Sequence, residues 1–144
     1  MAPVERSELA TWLSPMQLAL FESMHPADRR HGLDVVASMR DAGVTAPEAL
    51  LAGLLHDAGK GRTGVWPRVA YALGDHYGRW IWRVAALVPG WRPALARLDS
   101  HAVTSADLAA VAGCSPRTVE LIRNQNTPVD PEFGELLRLA DEAN

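Results

Sequence analysis

The apolar positions of this chain recur at helical spacing and are cut into segments by proline, glycine and small polar residues. Ser14-Pro15 reads as an N-cap and first helical position, opening a helix through about Ser23, with a shorter helix over roughly Ser7 to Leu13 ahead of it. Pro26 opens a helix that Gly43 stops. On that helix His31 shares a stripe with Val35 and Met39, at i+4 and i+8, which turns the histidine inward. Thr45, with Pro47 and Glu48 behind it, starts the next helix. Its run Ala49-Leu50-Leu51-Ala52-Gly53-Leu54-Leu55 is apolar on every side and predicts a buried element ending at Asp57. Trp66 to Leu87, interrupted by Gly74 and Gly78, reads as two helices meeting near Gly74-Asp75, the second ended by Pro89-Gly90. Trp91 to Leu98 makes one more short helix. Thr104 to Ala112 follows, then Gly113, then a helix opened by Ser115-Pro116 and running to about Asn124. Asp130-Pro131 opens the last, with Phe133, Leu136, Leu137 and Ala140 on one stripe. There is no alternating strand pattern, internal repeat or low-complexity segment. The expectation is all-α, a compact bundle of about six to eight helices.

Composition narrows the class without naming a chemistry. A chain of 144 residues suits a single domain over 1–144 with a sizeable core. Hydrophobic residues at 48% and charged ones at 22% are ordinary for a soluble globular protein. The net charge of −3 gives no global attraction for nucleic acid or anionic lipid. One cysteine, Cys114, excludes an internal disulfide and fits a reducing compartment. With Glu5, Arg6 and Glu8 near the start, no signal peptide is legible, and no apolar run nears the ~20 residues of a membrane span. The expected location is cytoplasmic, with no membrane association.

The chemistry concentrates between His25 and Lys60. The apolar run leads straight into His56-Asp57, two good metal ligands. A carboxylate at the inner end of a buried helix is costly unless a cation or a full set of donors meets it. A glycine break follows, carrying Lys60, the only lysine in the protein. Flanked by Gly59 and Gly61, its ammonium could reach a phosphate, and Arg30 and Arg62 could help. For both arginines a solvated surface role is an equal reading. Asp28 and Asp34 flank His31 at i−3 and i+3, close enough to hold its second ring nitrogen or else to stand as surface charge. The plain alternative for the whole stretch is an Asp57 that caps backbone donors and two histidines satisfied in the core.

The order His31, then His56-Asp57, then Asp141 on the last helix resembles the HD-domain superfamily of metal-dependent phosphohydrolases. "HPADRRHGLDV" and "LLAGLLHDAGKG" are similar to small, stand-alone bacterial HD proteins. The resemblance covers residues 24–141, leaving 1–23 as an N-terminal helical extension, and is strongest from His31 through Lys60. It implies an HD-domain/PDEase-like bundle in which His31, His56, Asp57 and Asp141 hold one divalent ion (Mn, Fe, Ni, Co, Zn or Mg). It also implies hydrolysis of a phosphomonoester or phosphodiester, a nucleotide among the candidates, with Asp57 and Lys60 as the catalytic pair. The chain departs from relatives that bind a second ion: Leu121-Ile122-Arg123-Asn124-Gln125-Asn126 lacks their late histidine. His101 is left as an extra ligand or phosphate contact, with His76 weaker. No Glu-Asp pair of the guanosine tetraphosphate hydrolases follows the doublet, and no GYP motif of cyclic-di-GMP hydrolysis. A catalytically inactive HD domain serving as a ligand-binding or regulatory module is the alternative within that family.

A rival from another class lies at residues 105–125. Ala109, Gly113 and Val119 match the small-residue and turn spacing of a DNA-binding helix-turn-helix. Against it, Arg117 and Arg123 are offset by Glu120, and the acidic chain weakens phosphate attraction. Among Trp66, Trp80, Trp82 and Trp91, the middle two diverge by about 200° on a helix and cannot share a face. A homodimer contact or substrate lid is one reading of them, ordinary packing the other.

Overall fold

A computed structural model of the chain describes residues 3–60 and 100–144. These form seven α-helices and no strand: α1 (Pro3–Leu9), α2 (Pro15–Ser23), α3 (Pro26–Asp41), α4 (Pro47–Leu55), α5 (Ser100–Val111), α6 (Pro116–Arg123) and α7 (Gly134–Glu142). A 3₁₀ turn at Ala58–Lys60 follows α4. The fold is all-α, as the periodicity predicts. The helices expected over Trp66–Leu87 and Trp91–Leu98 lie outside the described residues, as do Arg62, His76 and the tryptophans on them.

Helix starts follow their caps. At α2 the Ser14 hydroxyl accepts the Gln17 N–H while the Gln17 side chain accepts the Ser14 N–H at 2.9 Å, a reciprocal capping box. α3 is capped by His25, whose Nδ1 accepts the Ala27 N–H, and it ends before Gly43 at φ 88°. Four boundaries differ from expectation. α1 ends at Leu9 instead of reaching Leu13, because the Thr11 and Trp12 N–H groups tighten onto the carbonyls three residues back and the Thr11 hydroxyl takes the Glu8 carbonyl. α4 takes Ala46, not Thr45, at its N-cap and stops at Leu55, so that Asp57 sits on a turn. α5 begins at Ser100, a turn ahead of Thr104. α7 begins at Gly134, because the Asp130 carboxylate accepts the N–H groups of Glu132 and Phe133 and folds 131–133 as a turn.

α4 is the centre of the packing. Every residue from Ala49 to Leu55 is buried, and the helix packs against α3, α6 and α7. Burying Leu54 and Leu55 contributes roughly 1.5–3 kcal/mol each, which helps offset the polar doublet that follows them. α3 approaches at Gly32, where a Cβ would stand 2.6 Å from the Leu54 carbonyl oxygen. That contact is backbone, so a larger residue would force the helices apart and lift His31 away from His56. α7 packs on α3 and α4, and α5 packs on α6 and the 3₁₀ turn. Among the described residues no helix is long and apolar enough to cross a membrane.

Candidate metal centre

Three elements deliver the ligands. α3 presents His31, the C-cap of α4 presents His56 with Asp57 one residue beyond, and the last turn of α7 presents Asp141. One ligand atom each from His31, His56 and Asp141 lies within 4.8 Å of the others, a group that could hold a metal ion. Asp141 Oδ1 is 2.8 Å from His31 Nε2 and 3.1 Å from His56 Nε2. Asp57 stands beside this trio. Its Oδ1 is 3.5 Å from His56 Nε2 and its Oδ2 is 3.8 Å from His31 Nε2. The two imidazoles are tilted at 59° with centroids 5.1 Å apart, so they converge on the carboxylates without stacking.

The protons decide what the cluster wants. His56 Nδ1 lies 2.8 Å from the Gly53 carbonyl oxygen, an acceptor only, so that nitrogen carries the proton. A neutral His56 therefore turns the Nε2 lone pair towards Asp141 and Asp57, acceptor against acceptor. Asp57 is buried, and its Oδ1 has no hydrogen-bond partner among the described residues. A positive centre resolves both conflicts, either a second proton on His56 or a cation. Burial alone would lower the His56 imidazole, but the Asp141 hydrogen bond and the two carboxylates outweigh it and raise the group above its ordinary 6.5. The same contact from His56, with His31 behind it, holds the Asp141 carboxyl well below the usual carboxylate range.

The distances suit a shared ion. Ligands about 2.1 Å from one ion lie roughly 3.0 Å apart at right angles and roughly 3.4 Å apart in a tetrahedron. The four separations here, 2.8, 3.1, 3.5 and 3.8 Å, span those values with small adjustment. The Gly53 carbonyl also supplies the outer bond that orients a metal-binding histidine.

The other expected residues divide. Lys60 Nζ is 2.6 Å from Asp57 Oδ2, on the oxygen that the unpartnered Oδ1 leaves over. Arg30 and Asp34 pair with each other across one turn of α3, Nη2 to Oδ1 at 2.7 Å, so Asp34 is committed to that arginine and not to the second nitrogen of His31. Asp28 is half-buried on the first turn of α3, with no bond to His31 recorded among the described contacts. His101 is half-buried on α5, and its backbone oxygen lies against Gly59. Two residues near the doublet carry no weight in the sequence reading: Ser105, whose hydroxyl accepts the Gly59 N–H, and Gln125, whose amide reaches the His56 carbonyl. A signal for Ser105 existed. It is a lone hydroxyl on the small apolar stripe Ala102, Ala109, Ala112.

Residues 105–125 do fold as two helices joined by a short turn, with Gly113 at φ 76°. The surface that would meet DNA is spent elsewhere. Thr118, Leu121 and Ile122 are buried, Arg117 is paired with Asp130 and Glu132, and Arg123 with Asp107. No family model matches the chain, and no similar curated protein or solved structure was found.

Proposed function

We propose that this chain is a metal-dependent phosphohydrolase that holds one divalent ion and hydrolyses a small phosphomonoester or phosphodiester, a nucleotide among the candidates. The observation that carries the reading is the convergence of two imidazole Nε2 atoms and the Asp141 carboxylate beside a buried Asp57 oxygen with no hydrogen-bond partner among the described residues. His31, His56, Asp141 and Asp57 would hold the ion, whose identity this ligand set leaves open among Mn, Fe, Ni, Co, Zn and Mg. A divalent ion supplies charge neutralisation at a phosphoryl oxygen and brings the pKa of a water towards neutrality.

The chain's own residues do the rest. Gly53 fixes the His56 tautomer, so the neutral imidazole turns its Nε2 lone pair to the cluster. Asp57 keeps one oxygen for the ion and gives the other to Lys60. Lys60, with its side chain 44% exposed, sets a positive charge beside the cluster where an anionic substrate is attracted. The single thiol, Cys114, suits the reducing cytoplasm. The resemblance at His31 through Lys60 points to the same class.

Elemental analysis of protein purified without an affinity tag, followed by a metal-supplemented phosphoester screen, tests the reading. About one equivalent of a divalent transition metal and turnover lost in Asp57→Ala are expected. Wild-type rates in Asp57→Ala would refute the enzyme. Metal uptake without turnover on any ester would leave the binding-module alternative.

A further inference from the structure

The backbone on both sides of Asp57 is gripped from α5 and the residues after α6. On the C-terminal side the Gly59 N–H donates to Ser105 Oγ at 2.8 Å, and Ser105 is fully buried. The contact admits no slack. A Cβ at Gly59 would come within 2.8 Å of the His101 carbonyl oxygen and of the Ser105 nitrogen, and within 2.9 Å of Thr104 Cβ. On the N-terminal side the Gln125 amide donates to the His56 carbonyl at 3.4 Å, with Gln125 only 5% exposed. A third bond of the same kind ties Thr118 Oγ1 to the Glu48 carbonyl at 3.0 Å, at the far end of α4. Thus two helices with helix-turn-helix spacing present buried side chains to the backbone of α4 and its exit turn.

We propose that Ser105, seconded by Gln125, is a positioning residue that aims the Asp57 carboxylate, so that Lys60 takes Oδ2 and Oδ1 is kept for the cation. Within the Asp57–Lys60 turn the Lys60 N–H bonds the Asp57 carbonyl at 3.0 Å, a closure that fixes the turn's shape but not its seat. Its seat is the first turns of α5. A rotation of this turn's backbone would swing the Asp57 side chain as a whole, drawing one oxygen off Lys60 and the other away from His56. The Ser105 bond opposes that rotation directly, whereas Thr118 steadies the helix at a distance from it.

The test compares Ser105→Ala and Ser105→Thr with Thr118→Val, all in the full chain. Two quantities are read: Mn²⁺ affinity by calorimetry, which rests on the phosphohydrolase reading, and the order of the only lysine side chain by NMR of [13C]lysine-labelled protein, which does not. Ser105→Ala is expected to weaken Mn²⁺ binding about tenfold, as loss of an outer support commonly does, and to average the distinct ε-proton signals of Lys60. Ser105→Thr keeps the hydroxyl and restores both. Thr118→Val lowers the melting temperature but leaves both near wild type. The proposal is overturned if Ser105→Ala leaves the Lys60 signals as in wild type, or if Thr118→Val disturbs them equally. Lys60 disordered by Ser105→Ala in a chain that takes up none of Mn²⁺, Fe²⁺, Ni²⁺, Co²⁺, Zn²⁺ or Mg²⁺ supports the positioning role and retires the phosphohydrolase reading alone.

Discussion

The chain holds carboxylates in two different ways. Around Asp130 each acceptor has a permanent donor: Arg117 Nε and Nη2 at 2.8 and 3.2 Å, and the N–H groups of Glu132 and Phe133 at 3.0 and 2.9 Å. The guanidinium also lies 4.7 Å over the Phe133 ring. Nothing is left to bind. Around Asp57 and Asp141 the partners are two imidazoles and one lysine, and one buried oxygen has no hydrogen-bond partner among the described residues. The first arrangement closes a turn. The second keeps an unmet demand for positive charge, which is costly in a structure and useful in a site.

The largest effect that would break this contrast is on chemistry. Asp141→Ala should cut Mn²⁺ affinity by more than the roughly 100-fold upper end for outer supports, since it removes a ligand. Arg117→Ala should leave affinity unchanged in the same titration. Equal losses would mean the two clusters do not differ in kind. Stability should next move in opposite directions. In metal-free protein Asp57→Asn removes a buried carboxylate whose Oδ1 has no hydrogen-bond partner among the described residues, and gives up only a half-exposed pair with Lys60, so by denaturant melts it should gain about 1 kcal/mol. Arg117→Ala should lose stability, by a margin that shrinks in high salt because this pair is partly exposed. A stabilising Arg117→Ala or a destabilising Asp57→Asn would reverse the assignment.

Acidity sharpens the contrast further. Arg117, with the backbone donors behind it, holds the Asp130 carboxyl far below its ordinary 3.8, so its contribution is present above that value and lost as pH falls through the depressed one. His56 is raised above 6.5, so in metal-free protein its contribution is full below 6.5 and lost as pH rises through the raised value. Melting temperatures of the metal-free chain should therefore fall on the alkaline side from near neutrality. Saturating Mn²⁺ should abolish that fall, because ligation requires the deprotonated imidazole. The part of the acid-side loss that Asp130 carries should be removed by Arg117→Ala and be indifferent to metal, whereas the part that Asp141 carries should respond to it. The effect that bears least on the contrast concerns Gly32, beside His31 but outside both clusters: Gly32→Ala should destabilise by about 1–3 kcal/mol through overpacking against Leu54.

Residues at short sequence range were legible where one residue's chemistry dictates its neighbour's. The capping box at Ser14, the stop at Gly43 and the buried run 49–55 follow from caps and periodicity that any chain obeys. The same reasoning failed at α7, where a side-chain turn at Asp130 outcompeted the helix start that Pro131 suggests. At Asp34, where the spacing left both a His31 contact and surface charge open, an arginine one turn away is the partner.

What the sequence determined by itself is the fold class, an inward-facing His31 and a buried doublet that must meet a cation or donors, because these depend on local spacing and on the cost of burying charge. Only the tertiary structure decided that Asp141, 110 residues from His31, meets both imidazoles, and that Ser105 and Gln125 grip the turn between them. Helix packing sets those meetings, through close approaches such as Gly32 on Leu54 and Gly59 on α5. Periodicity tells a residue which side of its own helix to face, and packing alone tells it what it will face.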